Sequence, residues 1–134
     1  MKKFDPMTLG RPKRPIRKIV LTEIDGDPEL SFRKPDTPQV FAAKEMANQF
    51  LEQRKTEGPF FVDGEPVESS GEFALTCAIL SLSQSVENEE DRFSMYDFMA
   101  LSVTRPGAFE SILGLLQEFF EGEQGNLLRA VQND

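Results

Sequence analysis

The sequence predicts a mainly α-helical domain with a small N-terminal β-hairpin, an α+β fold in which four to five helices pack around one buried central helix. The central helix is indicated by the uncharged stretch 73–86, which is rich in the strong helix formers Ala and Leu. A helix that is apolar on every side is a buried helix. The hairpin is indicated by an Asp-Gly turn between two short apolar stretches, and further helices by apolar residues at helical spacing.

The composition favours binding over catalysis. The chain has 134 residues, one domain's worth, with 12 Phe, one Tyr and no Trp. Phe has no polar group, so these rings belong in cores or in apolar contact surfaces. There is no His, which excludes His-based acid–base catalysis and the commonest metal ligand. The single Cys, Cys77, excludes an intramolecular disulfide and a cysteine zinc site, and its apolar neighbours predict a small buried hydrophobe.

The charge is unevenly distributed. Residues 1–18 contain seven Lys and Arg against one Asp, a net charge of +6, so the rest of a chain of net charge −8 carries −14. We expect residues 1–15, which are rich in Pro, to form an extended basic arm, and residues 16–134 to form a single globular domain. The arm is compatible with a solvated tail or with contact to an acidic partner or a neighbouring copy. We expect no nucleic-acid partner, because the acidic body repels phosphate.

Residues 16–34 are predicted to form the hairpin. One strand covers Arg17 to Ile24, Asp25-Gly26 makes a tight turn, and the second strand covers Glu29 to Arg33. A lone hairpin is marginally stable in water. Leu30 and Phe32, which share a face, are therefore expected to pack on helices.

Residues 36–134 are predicted to be helical. In the first helix Thr37 serves as the cap and Pro38 suits the first turn, and Gly58-Pro59 ends it. Residues 60–67 form a second small hairpin or a loop. The apolar row of the first helix is Val40, Ala43, Ala47, Phe50 and Leu51, and the residues expected to fill the core from the following link are Phe60, Phe61 and Val62.

The central helix is expected to span Glu72 to Val86. Ser69 and Glu72 have the spacing of a capping box, in which the hydroxyl and the carboxylate satisfy the free amides of the first turn. The acidic stretch 87–91 that follows is interpreted as a solvated loop. It lacks the glycine and the terminal glutamate spacing of a calcium-binding EF-hand loop.

Two more helices follow. Ser94 and Asp97 form a second capping box, flanked by Phe93 and Phe98 as a hydrophobic staple. That helix runs to about Val103 and is broken by residues 104–107. The last helix carries one apolar stripe, is stopped by Gly122 and Gly125, and precedes a final turn capped by Asn126 and containing Leu127, Leu128 and Val131.

The apolar stripe of the last helix is the predicted partner-binding site. An exposed apolar stripe marks a contact surface, and a helix can be held in the groove beside it. Three alternatives remain open: burial inside this domain, pairing with another copy, or binding of an apolar helix of a client protein. We expect no catalytic residue, no metal site and no cofactor, although a pair of adjacent carboxylates in a pocket would favour an enzyme. The predicted partner-binding residues are Phe109, Leu113, Leu116, Phe119 and Phe120.

The order of these features resembles a known family. A hairpin ending Phe32-Arg33-Lys34-Pro35 is followed by the link Val62-Asp63-Gly64-Glu65-Pro66-Val67-Glu68-Ser69 and an Ala/Leu-rich helix. Then comes Met95-Tyr96-Asp97-Phe98-Met99-Ala100-Leu101-Ser102-Val103-Thr104-Arg105-Pro106-Gly107-Ala108-Phe109. This arrangement, over Ile16 to Phe120, is similar to the tail assembly chaperones of long-tailed bacteriophages.

The resemblance implies a non-enzymatic protein that coats the long helical tape measure protein, keeps it soluble and recruits tail tube subunits. It implies a place in the host cytoplasm. We also expect no membrane span, because the apolar stretch of the central helix is too short to cross a bilayer. No family site maps onto the five stripe residues, so their assignment as contacts is our own inference. The alternative is a small homo-oligomeric structural or adaptor protein that uses its basic arm and its Phe-rich last helix for subunit contacts.

Overall fold

The computed structural model describes residues 16–22, 24 and 26–119. Several predictions lie outside these residues: the basic arm 1–15, Asp25 of the turn, Phe120, and the predicted C-terminal stop and final turn at 122–131. Among the described residues the fold is mainly helical with a small N-terminal hairpin, as predicted. The elements are β1 (Ile16–Val20), β2 (Glu29–Arg33), α1 (Thr37–Glu57), β3 (Phe61–Val62), β4 (Glu65–Pro66), α2 (Gly71–Ser83), α3 (Met95–Thr104) and α4 (Pro106–Phe119).

The N-terminal hairpin pairs β1 with β2 in antiparallel register, with Ile16 opposite Arg33. The predicted extension of the first strand to Ile24 is wrong, whereas at the predicted tight turn the Asp27 amide donates to the Ile24 carbonyl at 3.0 Å, the hydrogen bond of a β-turn. β1 ends at Val20, and β2 begins at Glu29. The Leu21 amide donates to the Pro28 carbonyl at 2.8 Å, but Pro28 has no N–H to return, so the ladder stops there.

The inward face of β2 packs on the helices, as predicted. Leu30 is 7% exposed and Phe32 1% exposed. The Phe32 ring lies 6.3 Å from the ring of Phe98 on α3, centroid to centroid. The hairpin is therefore held by contacts with the helical core.

Helix α1 begins one residue earlier than predicted. Asp36, not Thr37, is the cap: its carboxylate accepts from the Gln39 amide at 2.9 Å, and the Gln39 side chain accepts from the Asp36 amide at 3.0 Å. From Thr37 the residue three positions on is Val40, which cannot return a hydrogen bond, so the reciprocal pair favours Asp36. The helix ends at Gly58, as predicted, with φ of 81°.

Residues 61–66 form the second small hairpin, one of the two predicted alternatives. Asp63 and Gly64 both have positive φ, 50° and 80°, as a two-residue type I′ turn requires. Phe61 does not fill the core as predicted, because it is 57% exposed. Neighbouring strand residues point to opposite faces, so Phe60 and Val62 pack against the core and Phe61 turns away.

Helix α2 is the buried central helix, and it contacts α1, α3 and β2. Its cap is Ser70, which accepts from the Phe73 amide at 3.2 Å, so the predicted box of Ser69 and Glu72 is wrong. The helix ends at Ser83, before the predicted Val86. Its buried residues are Ala74, Leu75, Cys77, Ala78, Ile79, Leu80, Ser81 and Ser83.

The start of α3 follows the prediction. The Ser94 hydroxyl accepts from the Asp97 amide at 3.1 Å, and the Asp97 carboxylate accepts from the Ser94 amide at 2.8 Å. The Phe93 and Phe98 rings make the predicted staple, 5.7 Å apart. α3 ends at Thr104, and α4 begins at Pro106, where a missing N–H costs nothing.

Candidate functional site

The predicted partner-binding stripe lies on α4 and mostly faces the domain's own core. Phe109, Leu116 and Phe119 are buried, with 7%, 4% and 9% of each residue exposed. Leu113 is half-buried, and Phe120 lies outside the described residues. Of the three alternatives that the sequence left open, these positions favour burial inside the domain.

Apolar side chains that the fold leaves uncovered lie on other elements. Phe41 on α1 is 64% exposed, Phe61 on β3 57% and Tyr96 on α3 37%. On β1, Ile16 and Val20 are also exposed. Phe41 and Tyr96 belong to one surface, since both line the same depression.

This depression, which we call the α1–α3 groove, runs between the outer flank of α1 and the start of α3. Phe41, Glu45 and Glu52 border it along α1. Ser81 of α2 also lines it. The remaining residues that define the groove are Lys44, Met46, Asn48, Gln49, Phe50 and Gln53 from α1 and Ser94, Met95 and Tyr96 from the α3 end.

Tyr96 is the side chain that joins the two walls of the groove. Its hydroxyl donates to the Gln53 side-chain oxygen at 3.2 Å. Its ring lies 5.9 Å from the buried Phe50 ring and meets the Phe60 ring edge-on at 5.4 Å. One side of Tyr96 is thus held by the core while the other meets solvent, and a preorganised aromatic surface of this kind loses little entropy on binding.

A buried amide fixes the position of the α3 wall. Gln84 is 5% exposed, and its side-chain nitrogen donates to the Ser81 carbonyl at 3.0 Å and to the Phe93 carbonyl at 2.8 Å. Its side-chain oxygen accepts from the Phe93 amide at 3.1 Å. Because Phe93 directly precedes the Ser94 cap, Gln84 sets where α3 begins.

Arg92 strengthens the same corner. Its guanidinium donates to the Ser81 carbonyl at 2.7 Å and to the Gln84 carbonyl at 3.2 Å. It also pairs with Glu89 at 2.7 Å, and this side-chain hydrogen bond lowers the pKa of the exposed Glu89 carboxyl. The acidic stretch predicted to be a solvated loop is exposed and contains a short 3₁₀ turn at Glu89–Asp91.

The border of the groove is rich in charge, whereas its floor is apolar. Glu45 and Glu52 are exposed on the outer flank of α1, and Glu52 accepts from Lys55 at 3.0 Å. Lys44 lies beside them on the same helix. An apolar floor with a polar border can hold the apolar face of an amphipathic helix.

Cys77 on the central helix is completely buried. Burial, with a smaller contribution from Glu68, raises the pKa of its thiol to about 12. A thiol with so high a pKa is not a nucleophile at neutral pH. The described part of the chain also contains no group of three or more Cys, Asp or Glu side chains arranged to hold a metal ion.

No helix within residues 16–119, as far as they are described, has the length and apolar character needed to cross a membrane. Comparisons of the chain with protein-family models, with curated proteins and with solved structures give no match. Function is therefore inferred from the groove and from the resemblance that the sequence carries.

No prediction from the sequence included the groove, although the sequence contains one signal of it. Phe41 follows Val40 directly, so it stands about 100° around the helix from the buried row. A large aromatic at that position falls outside the core-facing stripe. The exposure of Tyr96 had no comparable signal, because it depends on how closely α1 and α3 approach each other.

Proposed function

We propose that the protein is a tail assembly chaperone of a long-tailed bacteriophage. In this role it binds the tape measure protein in the host cytoplasm, keeps it soluble and helps to recruit tail tube subunits. The α1–α3 groove is the surface that binds the tape measure protein. The protein acts by contact, without a catalytic step.

The observation that carries this proposal is the uncovered aromatic surface of the groove. Phe41 and Tyr96 are exposed in the folded domain, and Phe41, at 64%, could be replaced by a polar residue without opening the core. Exposed aromatic side chains beside an apolar depression are characteristic of protein contact sites. A long helical protein exposes apolar stripes of matching chemistry until it is enclosed.

The resemblance supports the same surface. The family-like passage begins at Met95, and its part from Met95 to Thr104 forms the whole of α3. Its first residues, Met95 and Tyr96, line the groove. The passage that resembles the family therefore contains Tyr96, one of the two uncovered aromatic side chains of the groove.

In this proposal the α1–α3 groove replaces the apolar stripe on α4 as the contact site. Phe109, Leu116 and Phe119 stabilise the domain from within, and a client helix could reach them only after α4 had moved away. A surface that is already exposed requires no such opening. The groove therefore offers contact at lower free-energy cost.

Co-expression with the tape measure protein of the same phage tests the proposal. We expect the chain to raise the soluble fraction of the tape measure protein and to co-purify with it. The substitution Phe41→Glu places a charge on the groove border and should weaken co-purification at least about tenfold, the loss typical of an aromatic hot spot.

Phe61→Glu is the matched control. Phe61 is a similarly exposed phenylalanine, but it lies on the β3–β4 hairpin and does not line the groove. It should leave co-purification unchanged. If wild type neither solubilises nor retains the tape measure protein, the function is wrong; if both variants lose binding equally, the groove is not the contact surface.

A further inference from the structure

The outer edge of β1 is a second surface that could bind a partner, separate from the groove, because its backbone N–H and C=O groups point away from β2. We propose that it binds an extended segment of another protein as an added β-strand, and that this segment has an acidic residue flanked two positions away on each side by apolar residues. The inference does not depend on the proposed chaperone function.

The hydrogen-bond pattern of the hairpin shows which backbone groups are free for such pairing. Leu21 bonds to Pro28, and in an antiparallel ladder the inward-bonding residues alternate, so Arg17 and Ile19 also bond towards β2. The N–H and C=O groups of the alternate residues in β1 therefore point away from β2. These outward residues are Ile16, Lys18 and Val20.

The two edges of the hairpin differ in whether they are covered. The outer edge of β2 is occupied: the Ser85 amide donates to the Ser31 carbonyl at 2.7 Å, and Phe32 bridges Gln84. Among the described residues, β2 is the strand that pairs with β1, and nothing pairs with the opposite edge. An open edge of this kind is a template for another strand.

The side chains along β1 define the partner's chemistry. Ile16, Lys18 and Val20 share one face, with Ile16 44% and Val20 47% exposed. The Lys18 side chain is 64% exposed, and its Nζ lies 3.7 Å from Glu29 Oε1 across the hairpin, so a carboxylate on an added strand would be its second acidic neighbour. A strand laid beside them would place apolar residues opposite Ile16 and Val20. It would place an acidic residue opposite Lys18, since opposite charges across strands attract.

The wider charge distribution also favours an acidic partner. Within the described ranges, four of the nine Lys and Arg residues lie on or next to the hairpin strands, although the body is acidic. They are Arg17, Lys18, Arg33 and Lys34.

A second copy of this chain fits the edge poorly. Antiparallel self-pairing that matches Ile16 with Val20 of the other copy would set the two Lys18 side chains directly opposite each other. Like charges at opposed positions destabilise a sheet. Nucleic acid also fits poorly, because the exposed Ile16 and Val20 side chains and the free backbone carbonyls would gain nothing from phosphate, which only accepts hydrogen bonds.

A labelled peptide titrated against the full chain tests the inference by fluorescence anisotropy. The probe is Thr-Ile-Thr-Glu-Thr-Ile-Thr, and the comparison peptide has Lys in place of Glu. We expect the Glu peptide to bind with a dissociation constant below about 1 mM and roughly three- to tenfold more tightly than the Lys peptide. Lys18→Glu should reverse that order.

Hydrogen exchange identifies the site of binding. Saturating Glu peptide should slow exchange of the Lys18 and Val20 amides. Lys18→Pro should abolish binding while the hairpin and the melting temperature persist, because the outward N–H of Lys18 makes no bond to β2 and Pro is tolerated at strand edges. Ile19→Pro is the contrasting variant, since it removes an inward bond and should disrupt the hairpin.

Several outcomes would overturn the inference. They are equal affinity for the two peptides, no binding at 1 mM, or tighter binding of a single-stranded oligothymidylate than of the Glu peptide. Protection of the Lys18 amide in the absence of peptide, together with a dimeric mass by light scattering, would instead show that a second copy covers the edge.

Discussion

Helix α4 and the α1–α3 groove both present phenylalanine, yet the fold treats them in opposite ways. Phe109 on α4 is 7% exposed, and its ring lies 5.9 Å from that of Phe73 on the central helix. Phe41 on α1 is 64% exposed. The same residue type is thus a core component in one region and a contact surface in the other.

The difference follows from position relative to the helical repeat. On α4 the apolar residues recur at spacings of three and four, so they form one continuous row that can be buried as a unit. Phe41 stands beside such a row on α1, and burying it would require a second apolar layer. In a small domain, a regular stripe therefore indicates core, and an aromatic residue off the stripe is the better indicator of a partner site.

The largest effect that this contrast predicts is the difference in stability between the Ala variants of the two phenylalanines. Phe109→Ala should lower the free energy of unfolding by about 3–5 kcal/mol, because it removes buried contacts and leaves a cavity. Phe41→Ala should change it by no more than about 0.5 kcal/mol. Urea unfolding followed by circular dichroism measures both values. Equally small losses for the two variants would show that Phe109 does not form part of the core, and equally large losses would show that Phe41 does.

Removing the buried amide beside the groove should have an intermediate effect. Gln84→Ala leaves the Phe93 amide without its hydrogen-bond partner and should cost about 2 kcal/mol. The control is Gln49→Ala, an exposed groove residue for which we expect less than about 0.5 kcal/mol.

Tyr96 provides a second measurement on the same variants. It is the single Tyr in a chain without Trp, so intrinsic fluorescence reports on the groove. Gln84→Ala should alter this emission in the folded state, since it loosens the start of α3. Equal stability of the Gln84 and Gln49 variants would mean that the α3 wall is held by other contacts.

The parts of the fold that could be predicted from sequence are those decided within one turn of chain or by one strong pattern. The cap at Ser94 and its staple need residues within five positions of each other, and all are present in the sequence. The burial of α2 follows from the absence of any charge along 73–86. The division of the chain into a hairpin and a helical region follows from two further strong patterns. These are the Asp-Gly turn between two short apolar stretches and the apolar residues at helical spacing.

The remaining features depend on contacts between elements. Asp36 and Thr37 are adjacent residues that can both cap a helix, as are Ser69 and Ser70, so local preference does not choose between them. The early end of β1 depends on the strand register that places Leu21 opposite Pro28, whose missing N–H stops the ladder. The groove arises from the spacing between two helices far apart in the chain, and no local pattern encodes that spacing.

The smallest predicted effect concerns the central helix, the most buried part of the molecule. The ordinary pKa of a cysteine thiol is 9.0, and burial raises that of Cys77 to about 12. Below pH 9 both the folded and the unfolded chain keep the proton, so stability is unaffected. Above pH 9 the unfolded chain loses it and the folded chain does not, so the free energy of unfolding should fall, by about 1 kcal/mol at pH 10.

Cys77→Ala separates this effect from the titration of other groups. The variant loses a small apolar contact at every pH, whereas wild type alone carries the thiol ionisation. Stability of wild type should therefore approach that of Cys77→Ala between pH 8 and pH 10, as measured by urea unfolding. A constant difference between the two chains would mean that the Cys77 thiol ionises as readily in the folded state as in the unfolded state. In that case α2 would be open to solvent. The contrast between a closed core and an exposed groove would then be wrong for the central helix itself.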